Sequence, residues 1–146
     1  MGNGYRSDDA AGLCVARRIR AQGLEGVIVY EGAADAFGLA AGESTLRTAI
    51  LVDAVCSGAP PGTVFRFDAR RGPIPERLFP RYSTHGLGVT ATIDLIRLVD
   101  HLPRRLIVYG IEVESVEHGQ GLSPIVSAAC DRVVRRAVLD LSRGAR

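Results

Sequence analysis

Three short apolar runs constrain this chain more than anything else in it: Val27-Ile28-Val29-Tyr30, Ala49-Ile50-Leu51-Val52 and Leu106-Ile107-Val108-Tyr109. Each is continuous rather than alternating and rich in β-branched residues, the pattern of a strand buried on both faces. Such strands require helices above and below them. Helical periodicity is present between the runs. Over 8–22, Gly12, Val15, Ala16 and Ile19 follow the i, i+3, i+4, i+7 template with Arg17, Arg18 and Arg20 interleaved. A second helix begins near Leu87 and carries Val89, Ile93, Ile96 and Val99. The last opens with Ser123 as N-cap and Pro124 at the first helical position, and Val126, Ala129, Cys130, Val133, Ala137 and Leu141 make its stripe.

Thr63 to Phe67 alternates and reads as one more strand. Strands alternating with helices predict an α/β fold, a three-layer α/β/α sandwich around a mostly parallel sheet. At 146 residues the chain suits a single domain over 1–146. The stretch from Ala69 to Tyr82, with its Arg-Arg-Gly-Pro, reads as a long irregular connection and a mobile surface loop.

Composition narrows the chemistry. All 18 basic residues are arginine, so lysine Schiff bases, a lysine general base and the P-loop lysine are excluded. A net charge of +2, with the arginines scattered, leaves no nucleic-acid footprint. No apolar run reaches the roughly 20 residues of a membrane span, and the N-terminus has no signal-type stretch. The expected location is the cytoplasm. Cys14, Cys56 and Cys130 are far apart and odd in number, and are expected as free, mostly buried thiols of a reducing compartment.

In parallel sheets, function gathers outside the C-terminal strand ends. Ser7, Asp8 and Asp9 stand where the first helix starts; helix capping accounts for one carboxylate there but not for two in a row. Asp53 follows directly on the run 49–52 and is expected at the C-terminal edge of the sheet, as a site residue or a loop cap. His85 lies in Ser83-Thr84-His85-Gly86-Leu87-Gly88, a glycine-flanked approach to a helix. Two carboxylates and an imidazole on one rim suit a divalent first-row ion with open positions, or acid/base work by a carboxylate beside a histidine. Spacing alone does not decide between them, because there is no His-Glu-x-x-His and no Cys/His cluster. A Gly-x-Ser-x-Gly elbow and a P-loop are absent. Gly32 to Gly38 lacks the glycines of a dinucleotide loop.

These segments, in this order, resemble the hydrogenase maturation proteases, the endopeptidases that complete nickel-iron hydrogenase large subunits. Gly2-Asn3-Gly4-Tyr5-Arg6-Ser7-Asp8-Asp9-Ala10-Ala11-Gly12 is similar to the family's opening Gly-Asn segment. Leu51-Val52-Asp53-Ala54-Val55 with Pro61-Gly62-Thr63 resembles its second acidic segment, and Ser83 to Gly88 its histidine segment. Gly110-Ile111-Glu112-Val113-Glu114-Ser115 with Gly121-Leu122-Ser123-Pro124 resembles its late signature.

The resemblance implies that Asp9, Asp53 and His85 bind a divalent metal and carry the site of an aspartic-type, metal-dependent endopeptidase. The ion is nickel carried by the substrate, for which another divalent metal can substitute. Asp8 or Asp9 stays open as a general base, and Glu31 is a secondary acidic candidate. The partner is the large-subunit precursor, whose C-terminal extension is removed, and the protease is taken as a monomer. Glu112, Glu114, Glu117 and His118, which look like a second metal cluster, become a structural segment leading to Ser123. Family chains place an apolar strand directly before the Gly-Asn motif, whereas this sequence begins Met1-Gly2. The first strand is therefore expected to be missing, with roughly six residues lying upstream. A different class of function, a non-catalytic factor that checks the same precursor for nickel, uses the same rim without cutting. A nucleotide-binding module is a third, resting on fold analogy alone.

Overall fold

The computed structural model describes residues 10–31, 46–79, 82–83, 86–98, 102–113 and 121–144. In chain order these hold α1 (Ala11–Arg20), β1 (Thr48–Val55), β2 (Val64–Asp68), β3 (Tyr82–Ser83), β4 (Gly86–Leu87), α2 (Val89–Leu98), β5 (Arg105–Glu112) and α3 (Pro124–Gly144).

β5 is the middle strand of a sheet ordered β1-β5-β2, parallel to β1 and antiparallel to β2. The period-two rule of a pleated strand sorts its side chains onto two faces. Ile107, Tyr109 and Ile111 meet α1 and α3 through Val15, Val126, Val133 and Ala137, while Leu106 and Val108 meet α2 through Val89 and Ile93. A sheet apolar on both sides is thus covered on both sides, giving the three-layer α/β/α arrangement. The antiparallel member, β2, lies at the edge, where an α/β sheet most readily accepts one. β3 and β4 form a separate two-residue hairpin directly ahead of α2.

Helix ends follow local chemistry. Arg17, Arg18 and Arg20 in the last turn of α1 complement its dipole, and Gly23, at φ +59°, turns the chain away in a conformation most residues resist. Ser123 Oγ accepts the Val126 N–H at 3.4 Å, the cap expected for α3.

Three expectations need correction. The run 27–30 belongs to no strand among the described residues: Val27 and Val29 pack on the α1/α3 core, but Ile28 and Tyr30 are 54% and 39% exposed. A run of this length, read from sequence, specifies apolar contact and not a ladder partner. The stretch 69–79 is irregular but not a mobile surface loop, because Ala69, Ile74, Leu78 and Phe79 are buried against the α2 face. Phe79 meets Phe67 of β2 edge to face at 6.1 Å. Of the cysteines, which are all free, only Cys130 is buried; Cys14 is half-buried and Cys56 exposed. Val99 lies outside the described residues.

Candidate functional site

Asp53 stands two residues before the end of β1 rather than just after the strand, because β5 continues to Glu112 and gives Val55 a ladder partner. Its register partner is Gly110. Alternation puts Asp53 on the α2 face with Leu51 and Val55, half-buried, and its Oδ1 accepts the Ala54 N–H at 3.1 Å. Glycine at 110 is sterically required. A Cβ there would come within 2.8 Å of Phe79 Cζ and 2.9 Å of Val55 Cγ1.

The turn that follows β1 is held by a buried carboxylate. Glu112, 2% exposed, accepts from Ser57 N at 2.8 Å, Ser57 Oγ at 2.7 Å and Gly58 N at 3.0 Å. Its own N–H donates to Thr63 O, and its carbonyl accepts from Gly62 N, both at 2.8 Å. Gly62, at φ +80°, sits where a Cβ would meet Ile125 Cγ1 at 3.0 Å. Glu112 is therefore a structural residue, as the resemblance implied, and it ties the turn after β1 to the end of β5. Glu114, Glu117 and His118 lie outside the described residues.

Asp9 and His85 also lie outside them, as do Ser7 and Asp8. What can be placed are their neighbours in the chain. Ala11, at the start of α1, is fully buried in the core that Val52 and Ala54 pack against. Ser83 and Gly86, which bracket Thr84 and His85, pair in the hairpin, and Val89 just beyond it packs in the cluster that holds Val55 and Phe79. Among the described residues no group of three His, Cys, Asp or Glu side chains forms an ion site. Glu31 accepts from Arg17 Nε at 2.9 Å and also pairs with Arg20, so it balances the cationic last turn of α1.

A second acidic centre escaped the sequence reading. Asp140, on the buried stripe of α3, accepts Arg66 Nε and Nη2 at 3.0 and 2.9 Å, Arg105 Nη2 at 3.2 Å and the Tyr109 hydroxyl at 2.6 Å. Burial opposes its charge, but the bonds from Arg66 and Tyr109 prevail and hold the carboxyl below its usual range. Burial first, and then the bond to Asp140, push the Tyr109 phenol up to about 12. A carboxylate satisfied on every side is a clasp between β2, β5 and α3 and not a base. The signal available in the sequence was an acid at a core position of the last helix.

No described helix is long and apolar enough to cross a membrane. Comparison with known proteins agrees with the motif reading. The family model for hydrogenase maturation protease (HycI) matches residues 20–139. The hydrogenase maturating endopeptidase HybD from E. coli superimposes with a TM-score of 0.77 at 22% identity, over 97% of this chain and 88% of that one. An endopeptidase from Escherichia coli solved in solution gives 0.78 at 23%, over 99% and 90%. The [NiFe] hydrogenase maturation protease HybD from Thermococcus kodakarensis gives 0.68 at 27%, over 93% and 91%. No curated protein matches.

Proposed function

The chain belongs to the hydrogenase maturation protease family, and from that membership we propose that it is an endopeptidase that removes the C-terminal extension of a nickel-iron hydrogenase large-subunit precursor. The family match across most of the chain carries this reading. Asp53 supports it, as a half-buried carboxylate near the C-terminal end of a central-layer strand, where α/β proteins bind their ligands.

Nickel belongs to the substrate in this reading. Asp9, Asp53 and His85 complete the shell of an ion already seated in the precursor, two oxygen donors and one imidazole being a donor set that first-row divalent ions accept. Gripping the substrate through its own ion holds the scissile bond within reach and makes attack effectively intramolecular. The ion also supplies a Lewis acid for the scissile carbonyl. Only a loaded precursor presents that grip, so cleavage follows metal insertion. The free thiols suit the cytoplasm as the place of reaction.

Mass spectrometry of a nickel-loaded precursor mixed with this protein tests the proposal. The tail is lost with the native sequence and retained with Asp53→Ala or His85→Ala. An unchanged precursor mass with the native sequence would instead identify a factor that checks for nickel without cutting.

A further inference from the structure

The flank of α1 formed by Ala11, Cys14 and Arg18 lies against the flank of α3 formed by Ser127, Cys130 and Asp131. Contacts at both ends of this seam fix how the helices meet. At one end the Cys130 thiol donates to the Ala11 carbonyl at 3.7 Å. At the other, Arg18 Nη1 donates to Ser127 O at 2.9 Å and to Asp131 Oδ1 at 2.8 Å, and Arg18 Nη2 to Ser127 Oγ at 2.8 Å. Cys14 stands between, one turn after Ala11 and one before Arg18. A helical side chain leans back over the turn that precedes it, so the Cys14 sulfur is directed toward the place that the Cys130 sulfur occupies. The two thiols are in hydrogen-bonding contact. Ala11, Ala129 and Cys130 are fully buried in the seam, and side chains this small let two helices approach closely.

The two thiols differ in access. Cys14 is half-buried and open to a small oxidant, whereas Cys130 is buried. Burial pushes the Cys130 thiol up to about 12, while the Arg18 guanidinium draws it the other way. A thiolate is the nucleophile in disulfide exchange, so Cys14 reacts first. Its thiolate attacks one sulfur of a low-molecular-weight disulfide, whose S–S bond breaks and releases one small thiol. The Cys130 thiolate then attacks the Cys14 sulfur and expels the second. The two protons lost by the cysteines go to the two small thiols, so the oxidant is reduced as the cysteines are oxidised. The product carries no charge, which suits a buried seam better than a thiolate does.

The geometry points to Cys14 and Cys130 as a redox-sensitive clasp, a modification site at which a low-molecular-weight disulfide converts the thiol pair into a bond stapling α1 to α3. Linking positions so far apart in the chain removes freedom from the unfolded state, so the oxidised protein is the more stable form. The claim is independent of the peptidase reading.

The test incubates the folded protein with oxidised glutathione and maps the product by peptide mass under non-reducing conditions. A peptide pair joined through Cys14 and Cys130 forms, lighter by the two hydrogens lost. Tm rises by about 5–10 °C over the reduced protein, and a thiol reductant reverses both changes. Cys130→Ala stops the sequence at its first step and keeps one glutathione on Cys14, whereas Cys14→Ala leaves Cys130 unmodified. Cys56→Ala, which removes the exposed thiol, gives the same link as the native sequence. The proposal fails if the native protein keeps glutathione on Cys14 beside a free Cys130, or if neither of the two reacts. It fails equally if the link forms only after urea unfolds the chain, or if the link leaves Tm unchanged or lower.

Discussion

Asp53 of β1 and Gly110 of β5 face each other across the parallel ladder, and the missing side chain at 110 lets Phe79 and Val55 close over the strand beside the carboxylate. A methyl group placed there meets two well-packed side chains at under 3 Å. Gly110→Ala is therefore expected to lower stability by about 1–3 kcal/mol through overpacking. Urea unfolding measures it, and an unchanged midpoint would show that Phe79 yields freely.

Asp53→Asn keeps the shape of the side chain and removes its charge. Unfolding free energy should stay within about 1 kcal/mol, as usual for a substitution that opens no cavity. Cleavage of a nickel-loaded precursor should fall by about 100-fold or more, the scale of losing the grip that positions the bond. Full activity in the Asn variant would remove Asp53 from the site.

The Glu112 carboxylate holds the turn after β1 with three hydrogen bonds. Glu112→Ala removes the buried acceptor of all three bonds, while the donors, on exposed Ser57 and Gly58, can turn to water, and it should cost about 1–2 kcal/mol. Glu112→Gln, which keeps an acceptor for Ser57 N and Gly58 N, should recover most of that loss. Equal stability of the two variants would assign the effect to packing rather than to the bonds.

Stability should fall at both ends of the pH range, and through one clasp. The Asp140 carboxyl is held below its usual 3.8, so its contribution is complete above that value and disappears as pH falls through the lower folded value. Tyr109 is the reverse case. Its folded pKa of about 12 against the usual 10.0 means that its contribution is complete below pH 10 and lost between 10 and 12. Asp140→Asn should flatten the acid limb and Tyr109→Phe the alkaline one in unfolding measured against pH. At neutral pH, Asp140→Asn should cost about 2–3 kcal/mol, less than a fully buried pair would, because Arg66 and Arg105 keep 32% and 28% of their side-chain surface.

Thiol labelling should separate the cysteines. Cys56 is exposed, whereas burial and then the neighbouring Cys14 push the Cys130 thiol up to about 12. Iodoacetamide at neutral pH is expected to add to Cys56 first and to spare Cys130 until urea is added, as read by peptide mass. Fast native labelling of Cys130 would show that α1 and α3 separate readily.

Much of the architecture was legible in the order of residues, and for a definite reason. The runs 49–52 and 106–109 had to be strands covered on both faces, because continuous β-branched apolar residues have no other stable place. The stripe from Val126 to Ala137 had to be a helix lying on them. Asp53 was legible as a residue near a strand end because polarity changes abruptly after Val52. The run 27–30 was misread as a strand because an apolar tetrapeptide does not say what its backbone bonds to. The stretch 69–79 was misread as a loose loop because proline and arginine mask the contribution of Ile74, Leu78 and Phe79.

The sequence by itself determined which segments must be buried, the layered fold, and the ordered set of motifs that marks the family, since all of these follow from local pattern. Tertiary structure alone decided that Gly110 must lack a side chain, that Glu112 clamps a turn more than 50 residues away in sequence, and that Asp140 draws two arginines and a tyrosine into one clasp. These are pairings between distant positions. Their strength comes from excluding water around groups that only the folded chain brings within hydrogen-bond distance, and no local pattern records which distant partner will arrive.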